Sequence, residues 1–290
     1  MKISLIMATI GRTKEVELFL EALLHQTYEN FELIIVDQNQ LPVLNPIIEK
    51  YNTQLPVIHI TSSNPGLSSA RNLGIRHADG DIISFPDDDC LYPPNLLENV
   101  AAVFQTSSEI DTISTSWHDT VTNSRLKSFK DKEEWITNIT IWTQVSSITL
   151  FIKSEVFHEV GTFDEQLGIG PHSVWKGAED KDLPIRILRS GKKIRYIPFL
   201  YVLHPAPVQE ASATEEVKIV LDKTFQYSAA AGFVMCKHHY PFHLKLASIL
   251  IILGKLIMNF LTFNKLGCQI RWASLKGRLC GLLQIQGRGN

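Results

Sequence analysis

The first hundred residues alternate between two hydrophobic patterns, and this alternation constrains the fold more than any other feature of the chain. Four continuous apolar runs predict β-strands, at residues 3–8, 31–36, 56–60 and 81–85. Four segments with apolar side chains at helical spacing predict α-helices, at residues 13–26, 45–51, 68–77 and 94–104. Strands that alternate with helices are typical of βαβ units. We therefore expect an α/β fold with a mostly parallel central sheet and helices on both faces.

The middle of the chain is more mixed. Three further runs predict strands, at residues 112–116, 146–152 and 194–197, and residues 182–190 have a helical pattern. Pro184 lacks a backbone N–H and fits a helix best in its first turn. We therefore expect Glu179 and Asp180 at the N-terminus of this helix.

Composition excludes several classes of protein. With 44% hydrophobic and 20% charged residues, the chain of 290 residues fits one folded α/β domain with an appendage. A net charge of −2 gives no indication of nucleic-acid binding. Four cysteines without a CxxC pair argue against structural zinc or a disulfide framework and favour a reducing compartment. The N-terminus reads as a first strand and not as a signal peptide.

The C-terminal segment differs from the rest of the chain in charge. The whole chain has 28 basic and 30 acidic side chains, and nine of the basic but none of the acidic ones lie in residues 223–290. The formal charge is therefore +9 there and −11 in residues 1–222. We expect this asymmetry to mark two parts with different tasks, an α/β domain at 1–222 and a basic helical tail at 223–290.

The tail also contains a long apolar stretch. Residues 244–263 are mostly apolar but include Lys245 and Lys255, and a lysine near the centre of a spanning helix costs about 2.5–3.5 kcal/mol. We therefore expect a helix that lies on the membrane surface, followed by a second amphipathic helix at 269–283. This predicts a cytoplasmic protein, peripheral on the inner face of the cell membrane. The alternative is that residues 244–263 pack on the α/β domain or form a dimer interface.

Three consecutive aspartates follow the fourth predicted strand. Ligands of parallel sheets bind at the carboxyl ends of the strands, where this segment meets residues 9–12 and 37–39. Alternate residues of an extended segment point the same way, so Asp87 and Asp89 are expected to share a face. Two such carboxylates suit Mg²⁺ or Mn²⁺. The alternative is a solvated acidic turn.

Five segments in this order resemble the family-2 glycosyltransferases of the GT-A fold. They are TIGR after the first strand, LLHQTYENFELIIVDQ, NPGLSSARNLG, GDIISFPDDD and GAEDKDLPIRILRSGKKIRYIP. The resemblance covers residues 2–207 and implies a single GT-A-like, Rossmann-type domain. It also implies transfer of a sugar from a nucleotide-sugar donor with inversion at the anomeric carbon.

The resemblance implies roles for individual residues. Asp37 matches the aspartate that reads the nucleotide base, and Asp180 matches the general base. The expected donor-binding residues are Thr9, Arg12, Asp37, Asn64, Gly66, Arg71, Asp87 and Asp88. The expected metal ligands are Asp87, Asp89 and, as in some members, His204. On the acceptor side we expect Trp175 and Glu179.

Several of these assignments have alternatives. Arg71 could be an ordinary surface arginine, and Trp175, in the Gly-rich loop at 168–177, could be a packing anchor. Glu179 is a rival base, because Asp180 is favoured only by the resemblance, and both acids would also stabilise a helix N-terminus. Either carboxylate could take a proton from an attacking hydroxyl.

The chain departs from the family pattern in three ways. The family's Asp-Asp-Gly-Ser is replaced by residues 37–40 (DQNQ), which leaves the nucleotide preference open. Cys90 stands where an acidic residue is common. The Q-x-x-R-W motif of processive polymerases is absent, because Arg271 and Trp272 follow Gln269 at the wrong spacing. This predicts an enzyme that adds a single sugar.

We therefore predict a metal-dependent inverting hexosyltransferase. The expected donor is a UDP-sugar, and the expected acceptor is a glycan or a lipid-linked molecule in cell-surface polysaccharide synthesis. One alternative is a sugar-nucleotidyltransferase, but that class carries a Gly-rich loop with a lysine after the first strand. The other is a non-catalytic sugar-nucleotide-binding protein.

Overall fold

The computed structural model describes residues 1–206 and 214–285. Over these residues eight strands form one sheet. The strands are β1 Ile3–Thr9, β2 Phe31–Asp37, β3 Val57–Thr61, β4 Ile82–Ser84, β5 Thr112–His118, β6 Glu134–Trp135, β7 Leu150–Lys153 and β8 Ile194–Leu203. The helices are α1 Lys14–Leu23, α2 Asn45–Tyr51, α3 Leu67–Ile75, α4 Leu96–Thr106, α5 Ile141–Gln144, α6 Val156–Val160, α7 Glu179–Arg189, α8 Thr214–Lys237, α9 Phe242–Leu261 and α10 Lys265–Leu282.

The sheet is mostly parallel, as predicted. Its order is β3-β2-β1-β4-β7-β5-β8-β6. The neighbours among β1 to β4 pair in parallel, and so do β5 and β8. Only β7 and the short edge strand β6 run antiparallel to their neighbours. The predicted α/β fold class is confirmed.

The core lies between the sheet and the helices that cover it. Strands β1 and β2 are buried almost throughout, and α1 turns Val16, Phe19, Leu20 and Leu23 into the core. Their spacing places them on one face of the helix, and each such side chain stabilises the fold by about 1.5–3 kcal/mol when buried. Gly74 lets the backbone of helix α3 approach β1 closely, because a Cβ at this position would lie 2.2 Å from Ile6 Cγ2.

Three local predictions are corrected. Residues 147–149 form a 3₁₀ turn before β7, so the strand expected at 146–152 begins at Leu150. Pro184 is the sixth residue of α7 and not part of its first turn, although Glu179 and Asp180 do begin the helix. Helix α8 was not predicted.

The described chain forms two compact units. The first comprises residues 1–164 and 183–206, and the second comprises residues 165–182 together with the C-terminal helices. The boundary predicted between residues 222 and 223 falls inside the continuous helix α8. The assignment of separate tasks to 1–222 and 223–290 stays a prediction.

In the second unit, α8 and α10 pack with their backbones in contact. A Cβ on Gly281 would lie 1.9 Å from the Ala229 carbonyl oxygen, and one on Gly277 would lie 2.2 Å from the Phe225 carbonyl oxygen. Ser228 donates a hydrogen bond to the Ser274 carbonyl oxygen at 2.7 Å. Only residues without a side chain permit such an approach, so the glycines of α10 set the distance between these helices.

Helix α9 exposes most of its apolar side chains. It is 20 residues long and, by length and composition, apolar enough to cross a membrane. Only 6% of its most apolar 18-residue stretch is buried inside the structure. Leu246, Leu250, Ile257 and Leu261 are 40% to 65% exposed, and their spacing of four, seven and four residues places them on one face. An exposed apolar stripe of this kind is typical of an interaction surface.

Candidate active site

Three of the predicted segments meet at the carboxyl edge of the sheet. Strand β1 ends at Thr9 and β2 ends at Asp37, and these two residues are paired in register. After β4, Asp87 forms a parallel bridge with Ala8, which brings the aspartates alongside the end of β1. The strand order places β1 between β2 and β4, which is the kind of position where α/β sheets bind ligands.

The three aspartates form a turn and not an extended segment. The Cys90 N–H donates to the Asp87 carbonyl oxygen at 3.0 Å. Asp88 points back toward β1, where its carboxylate accepts a hydrogen bond from Thr9 Oγ1 at 2.7 Å. Asp87 and Asp89 do share a face, as predicted. The turn brings them together, whereas we had expected an extended segment to do so.

His204 completes a group of three possible metal ligands. Leu203, at the end of β8, exchanges two backbone hydrogen bonds with Leu91 at 2.8 and 2.9 Å. This pairing places His204, the next residue, beside the aspartates. One ligand atom each from Asp87, Asp89 and His204 lie within 4.8 Å of one another. The two carboxylates suit Mn²⁺ or Mg²⁺, and an imidazole is a common ligand of transition-metal ions, so the residues fit the expected metal.

The surroundings of His204 orient its ring. Nδ1 lies 2.9 Å from the Pro205 carbonyl oxygen, a contact that leaves Nε2 facing the carboxylates, 3.0 Å from Asp89. Trp117 packs edge-on against the ring at 4.7 Å and donates to the His204 carbonyl oxygen at 2.9 Å. A second hydrogen bond of this type fixes the tautomer and orientation of a metal-binding histidine.

The charges of the cluster shift the pKa values of its members. Burial acts to raise the pKa of Asp89, but His204 and Arg12 outweigh burial and lower that pKa to about 2. Burial acts to lower the pKa of His204, but the hydrogen bond and charge of Asp89 and the charge of Asp87 raise it. Burial raises the pKa of Asp88, against the effects of Thr9 and Arg12. Asp89 is therefore more strongly acidic than Asp88.

Two arginines offset the aspartate charges. Arg12 Nη1 lies 2.8 Å from Asp88 and 2.5 Å from Asp89. Arg71 is 1% exposed, and its Nη2 lies 2.9 Å from both Asp87 and Ser147 Oγ. The alternative of an exposed surface arginine is therefore wrong for Arg71. Both arginines therefore lie directly beside the aspartates.

The end of β2 carries a second polar cluster. Asp37 is 1% exposed, and its Oδ1 accepts hydrogen bonds from the N–H and side-chain amide of Asn39 at 2.9 and 2.7 Å. Its Oδ2 lies 3.1 Å from His59 Nε2. Gln38 holds the start of α3, since its Oε1 accepts from the Gly66 N–H at 2.6 Å. Asn64 lies exposed in the loop before that glycine.

His59 is a neighbour of Asp37 that no motif predicted. It lies on β3, and the parallel pairing of β2 with β3 brings it beside Asp37. The histidine belongs to no motif, so no local pattern could have identified it.

The predicted acceptor-side residues lie in the second unit. Glu179 is buried, and Asp180, also in the first turn of α7, lies 3.0 Å from Lys181. Trp175 is 6% exposed and stacks on Phe233 with ring centroids 4.7 Å apart. Of the two alternatives for Trp175, this packing supports the anchor and not the acceptor-binding role.

Known proteins resemble this chain in sequence and in fold. The profile described as "Glycosyl transferase family 2" matches residues 4–156, more than half of the 290 residues. The minor teichoic acid biosynthesis protein GgaB of Bacillus subtilis is 35% identical over 107 residues, which make up 34% of this chain and 12% of GgaB. Eight curated relatives are matched over 12% to 53% of their own lengths.

Two solved structures share the fold. S. aureus TarS 1–349 in complex with UDP-GlcNAc superposes with a TM-score of 0.60 at 18% identity, covering 100% of this chain and 93% of that one. The mannosyltransferase PcManGT from Pyrobaculum calidifontis, in complex with GDP-Man and Mn²⁺, gives a TM-score of 0.64 at 15% identity, covering 98% and 88%. At these identities the likeness supports the GT-A fold.

Proposed function

Since the chain belongs to glycosyltransferase family 2, we propose that it is a metal-dependent, inverting hexosyltransferase that moves one sugar from a nucleoside-diphosphate sugar to an acceptor hydroxyl. The observation that carries the proposal is the cluster of Asp87, Asp89 and His204 at the carboxyl edge of the sheet. We propose that these three residues hold Mn²⁺ or Mg²⁺. When bound, such an ion would neutralise charge on the diphosphate leaving group.

The residues of the first unit would bind the donor. Asp37, with Asn39 and His59, offers a polar site for the nucleobase at the end of β2. Arg12 and Arg71 supply positive charge beside the aspartates, and such charge stabilises a developing anion. Thr9 fixes Asp88, which in turn holds Arg12 in place.

Asp180 would supply the base. In the proposed reaction the Asp180 carboxylate takes the proton of the acceptor hydroxyl as its oxygen attacks the anomeric carbon. The bond from that carbon to the diphosphate oxygen breaks, and the leaving diphosphate takes the electron pair. Attack opposite the leaving group inverts the anomeric centre. Glu179 is less suited to this role because it is buried.

The donor and acceptor are proposed more specifically. We propose a UDP-sugar as the donor, supported by the UDP-GlcNAc complex of TarS, with a GDP-sugar as the alternative suggested by PcManGT. We propose a glycan or lipid-linked acceptor in cell-surface polysaccharide synthesis, supported by the name of GgaB. The absence of the Q-x-x-R-W motif supports addition of a single sugar.

The test is release of nucleoside diphosphate from UDP-sugars and GDP-sugars, with Mn²⁺ or with EDTA. An enzyme of the proposed type slowly hydrolyses its donor when no acceptor is present, and it stops when the metal is removed. Asp89→Asn should abolish this turnover, whereas Asp79→Asn, at a side chain that is 88% exposed, should not. Full activity of Asp89→Asn in EDTA would overturn the metal role.

The same assay separates the alternative functions. A sugar-nucleotidyltransferase would consume nucleoside triphosphate and release pyrophosphate, and a non-catalytic binding protein would bind the donor without releasing any product. Either result would replace the proposed transferase.

We further propose that α9 holds the enzyme on the anionic inner face of the cell membrane. Its exposed apolar stripe supports this, as do the exposed lysines Lys255, Lys265 and Lys276. Each such lysine contributes about 1 kcal/mol near an anionic surface, screened by salt. Lys237 contributes less, because it pairs with Asp182 inside the unit.

Vesicle sedimentation tests this membrane association. The double variant Leu250→Glu/Ile257→Glu changes the exposed stripe and should remove the protein from anionic vesicles at low salt. Ile219→Glu on α8, at a side chain that is 62% exposed, is the matched control and should still sediment. Equal sedimentation of the double variant and the control would contradict the proposal.

A further inference from the structure

A fully buried aspartate lies one residue beyond Lys181 in the first turns of α7. Asp182 is 0% exposed, and its Oδ1 lies 2.6 Å from Lys237 Nζ and 2.8 Å from His238 Nε2. His238 is itself 5% exposed. A buried carboxylate is costly unless it is paired and hydrogen-bonded. Asp182 is therefore stable in the interior only while its contacts with Lys237 and His238 are kept.

The two partners of Asp182 belong to the end of α8, far along the chain from Asp182. Lys237 is the last residue of α8 and His238 follows it. The His238 N–H donates to the Val234 carbonyl oxygen at 3.0 Å, which continues the helical hydrogen bonding by one residue. The His238 imidazole therefore extends from the regular end of α8. The close backbone packing of α10 on α8 described above fixes the position of this helix.

Two further contacts join α8 to the segment that precedes α7. Phe233 stacks on Trp175, and Tyr227 packs on Gly177, where a Cβ would lie 2.9 Å from the tyrosine ring. Phe233 and Tyr227 precede Lys237 by about one and three helical turns, so α8 contacts the loop and the start of α7 along much of its length. All these residues lie in the second unit.

The backbone between the loop and α7 is in an unusual conformation. Ala178 has a φ of 61°, a value that a residue with a Cβ rarely adopts. Its carbonyl oxygen accepts the N–H groups of Lys181 and Asp182 at 3.1 and 3.0 Å and so begins the helix. Such a conformation persists only where the surroundings hold it, and the contacts from α8 provide that support.

We propose that the Asp182–Lys237–His238 cluster is a positioning site that fixes the first turn of α7 and so orients the Asp180 carboxylate. The inference rests on the proposed function, in which Asp180 is the base. Asp182 lies two residues from Asp180 on a single helical turn, so a shift at Asp182 moves both. In this proposal the cluster acts on the proton transfer through the helix and does not itself bind the donor.

A matched pair of substitutions at His238 tests the proposal in the full-length protein. Glutamine places an amide nitrogen near the position of Nε2 and can keep the hydrogen bond to Asp182, whereas asparagine is too short to do so. His238→Asn should lower kcat by about 10- to 100-fold, the range of a misplaced catalytic group. His238→Gln should restore most of the loss, and donor Kd should stay within about twofold in both.

The neighbouring histidine provides the control. His239 is exposed, and His239→Asn should leave kcat unchanged. Lys237→Met provides a second variant at a side chain that is 28% exposed; it should lower kcat in the same way without donor Kd changing. Unchanged kcat in both His238→Asn and Lys237→Met, with thermal unfolding as in the wild type, would overturn the positioning role. Equal loss in the asparagine and glutamine variants would also overturn it.

Asp180→Asn separates this inference from its premise. If Asp180→Asn loses turnover while the His238 and Lys237 variants keep it, the base assignment stands and the positioning site is wrong. If Asp180→Asn keeps full turnover, both are wrong. Loss in Asp180→Asn, His238→Asn and Lys237→Met, with rescue by His238→Gln, supports both.

Discussion

At the scale of single residues, the buried carboxylate of Glu32 shows how partners hold a charge inside the protein. Glu32 on β2 is 5% exposed and accepts hydrogen bonds from Ser4 Oγ at 2.6 Å and the Asp79 N–H at 2.8 Å. Lys2 lies 2.5 Å from its other oxygen. This cluster lies at the amino end of the sheet, away from the proposed donor site, and so its role is structural.

Glu32→Gln tests that role through stability. Burial acts to raise the pKa of Glu32, but Lys2, Ser4 and the Asp79 N–H lower it below the ordinary value. The ionised form therefore stabilises the fold above the unfolded-state pKa, and this stabilisation is lost as pH falls through the folded-state pKa. We expect Glu32→Gln to lower the free energy of unfolding at pH 7 by about 1.5–3 kcal/mol.

The control for this measurement is Glu29→Gln, at an exposed position of the same region. Urea unfolding at pH 7 and near pH 3.5 should show a smaller difference between Glu32→Gln and the wild type at the lower pH. A difference that grows toward low pH would contradict the assigned direction of the pKa shift.

Asp180→Asn tests the base at the same scale. Loss of a general base lowers turnover by about 10²–10⁴-fold, and donor Kd should change little because the base acts on the acceptor. Glu179→Gln is the comparison variant and should retain more activity. Single-turnover kinetics with donor and acceptor would show a structural role instead if donor binding weakened and turnover did not change.

At the scale of elements, the close packing of α8 on α10 depends on the glycines of α10. Gly281→Ala would force a Cβ into the Ala229 carbonyl oxygen. Overpacking of this kind costs about 1–3 kcal/mol. We therefore expect a lower midpoint of thermal unfolding for Gly281→Ala.

Gly254→Ala is the matched control for this prediction. Gly254 lies in α9, and a Cβ there would meet nothing within 4 Å. Alanine in an exposed helix stabilises by about 0.5–1 kcal/mol relative to glycine, so the two variants should shift in opposite directions. A Gly281→Ala variant as stable as the control would show that the helices separate at no cost.

At the scale of the whole molecule, the two units differ in the predicted site residues that they contain. The predicted donor and metal residues lie in the first unit, and Glu179 and Asp180 lie in the second. The C-terminal helices therefore supply more than the membrane-associated tail that their charge and hydrophobicity predict, because α8 packs on the segment that carries the proposed base.

Ligand binding should appear in the stability of the whole protein. A ligand at 100 times its Kd stabilises the folded state by about 2.7 kcal/mol. We expect UDP with Mn²⁺ to raise the midpoint of thermal unfolding more than either alone, because the proposed site binds the diphosphate and the ion together. Asp89→Asn should remove the added effect, and a shift of equal size in that variant would count against a shared site.

The sequence alone determined the alternating strands and helices, the parallel sheet and the position of the aspartates at its carboxyl edge. These features follow from hydrophobic periodicity and from turns, which are local properties of the chain. Helix α8 was not predicted in the same way, because small residues such as Ser228, Ala229 and Gly232 make its contact with α10, and small residues give a weak hydrophobic periodicity.

The tertiary structure decided which distant residues meet. His204 reaches the aspartates because Leu203 pairs with Leu91, and His59 reaches Asp37 because β3 pairs with β2. The contact of Asp182 with His238 joins residues 56 positions apart. Contacts between positions so far apart depend on how the folded elements pack, and no periodicity of the chain encodes them. The resemblance had grouped His204 with the aspartates, but the partners of Asp37 and Asp182 could be identified only in the folded molecule.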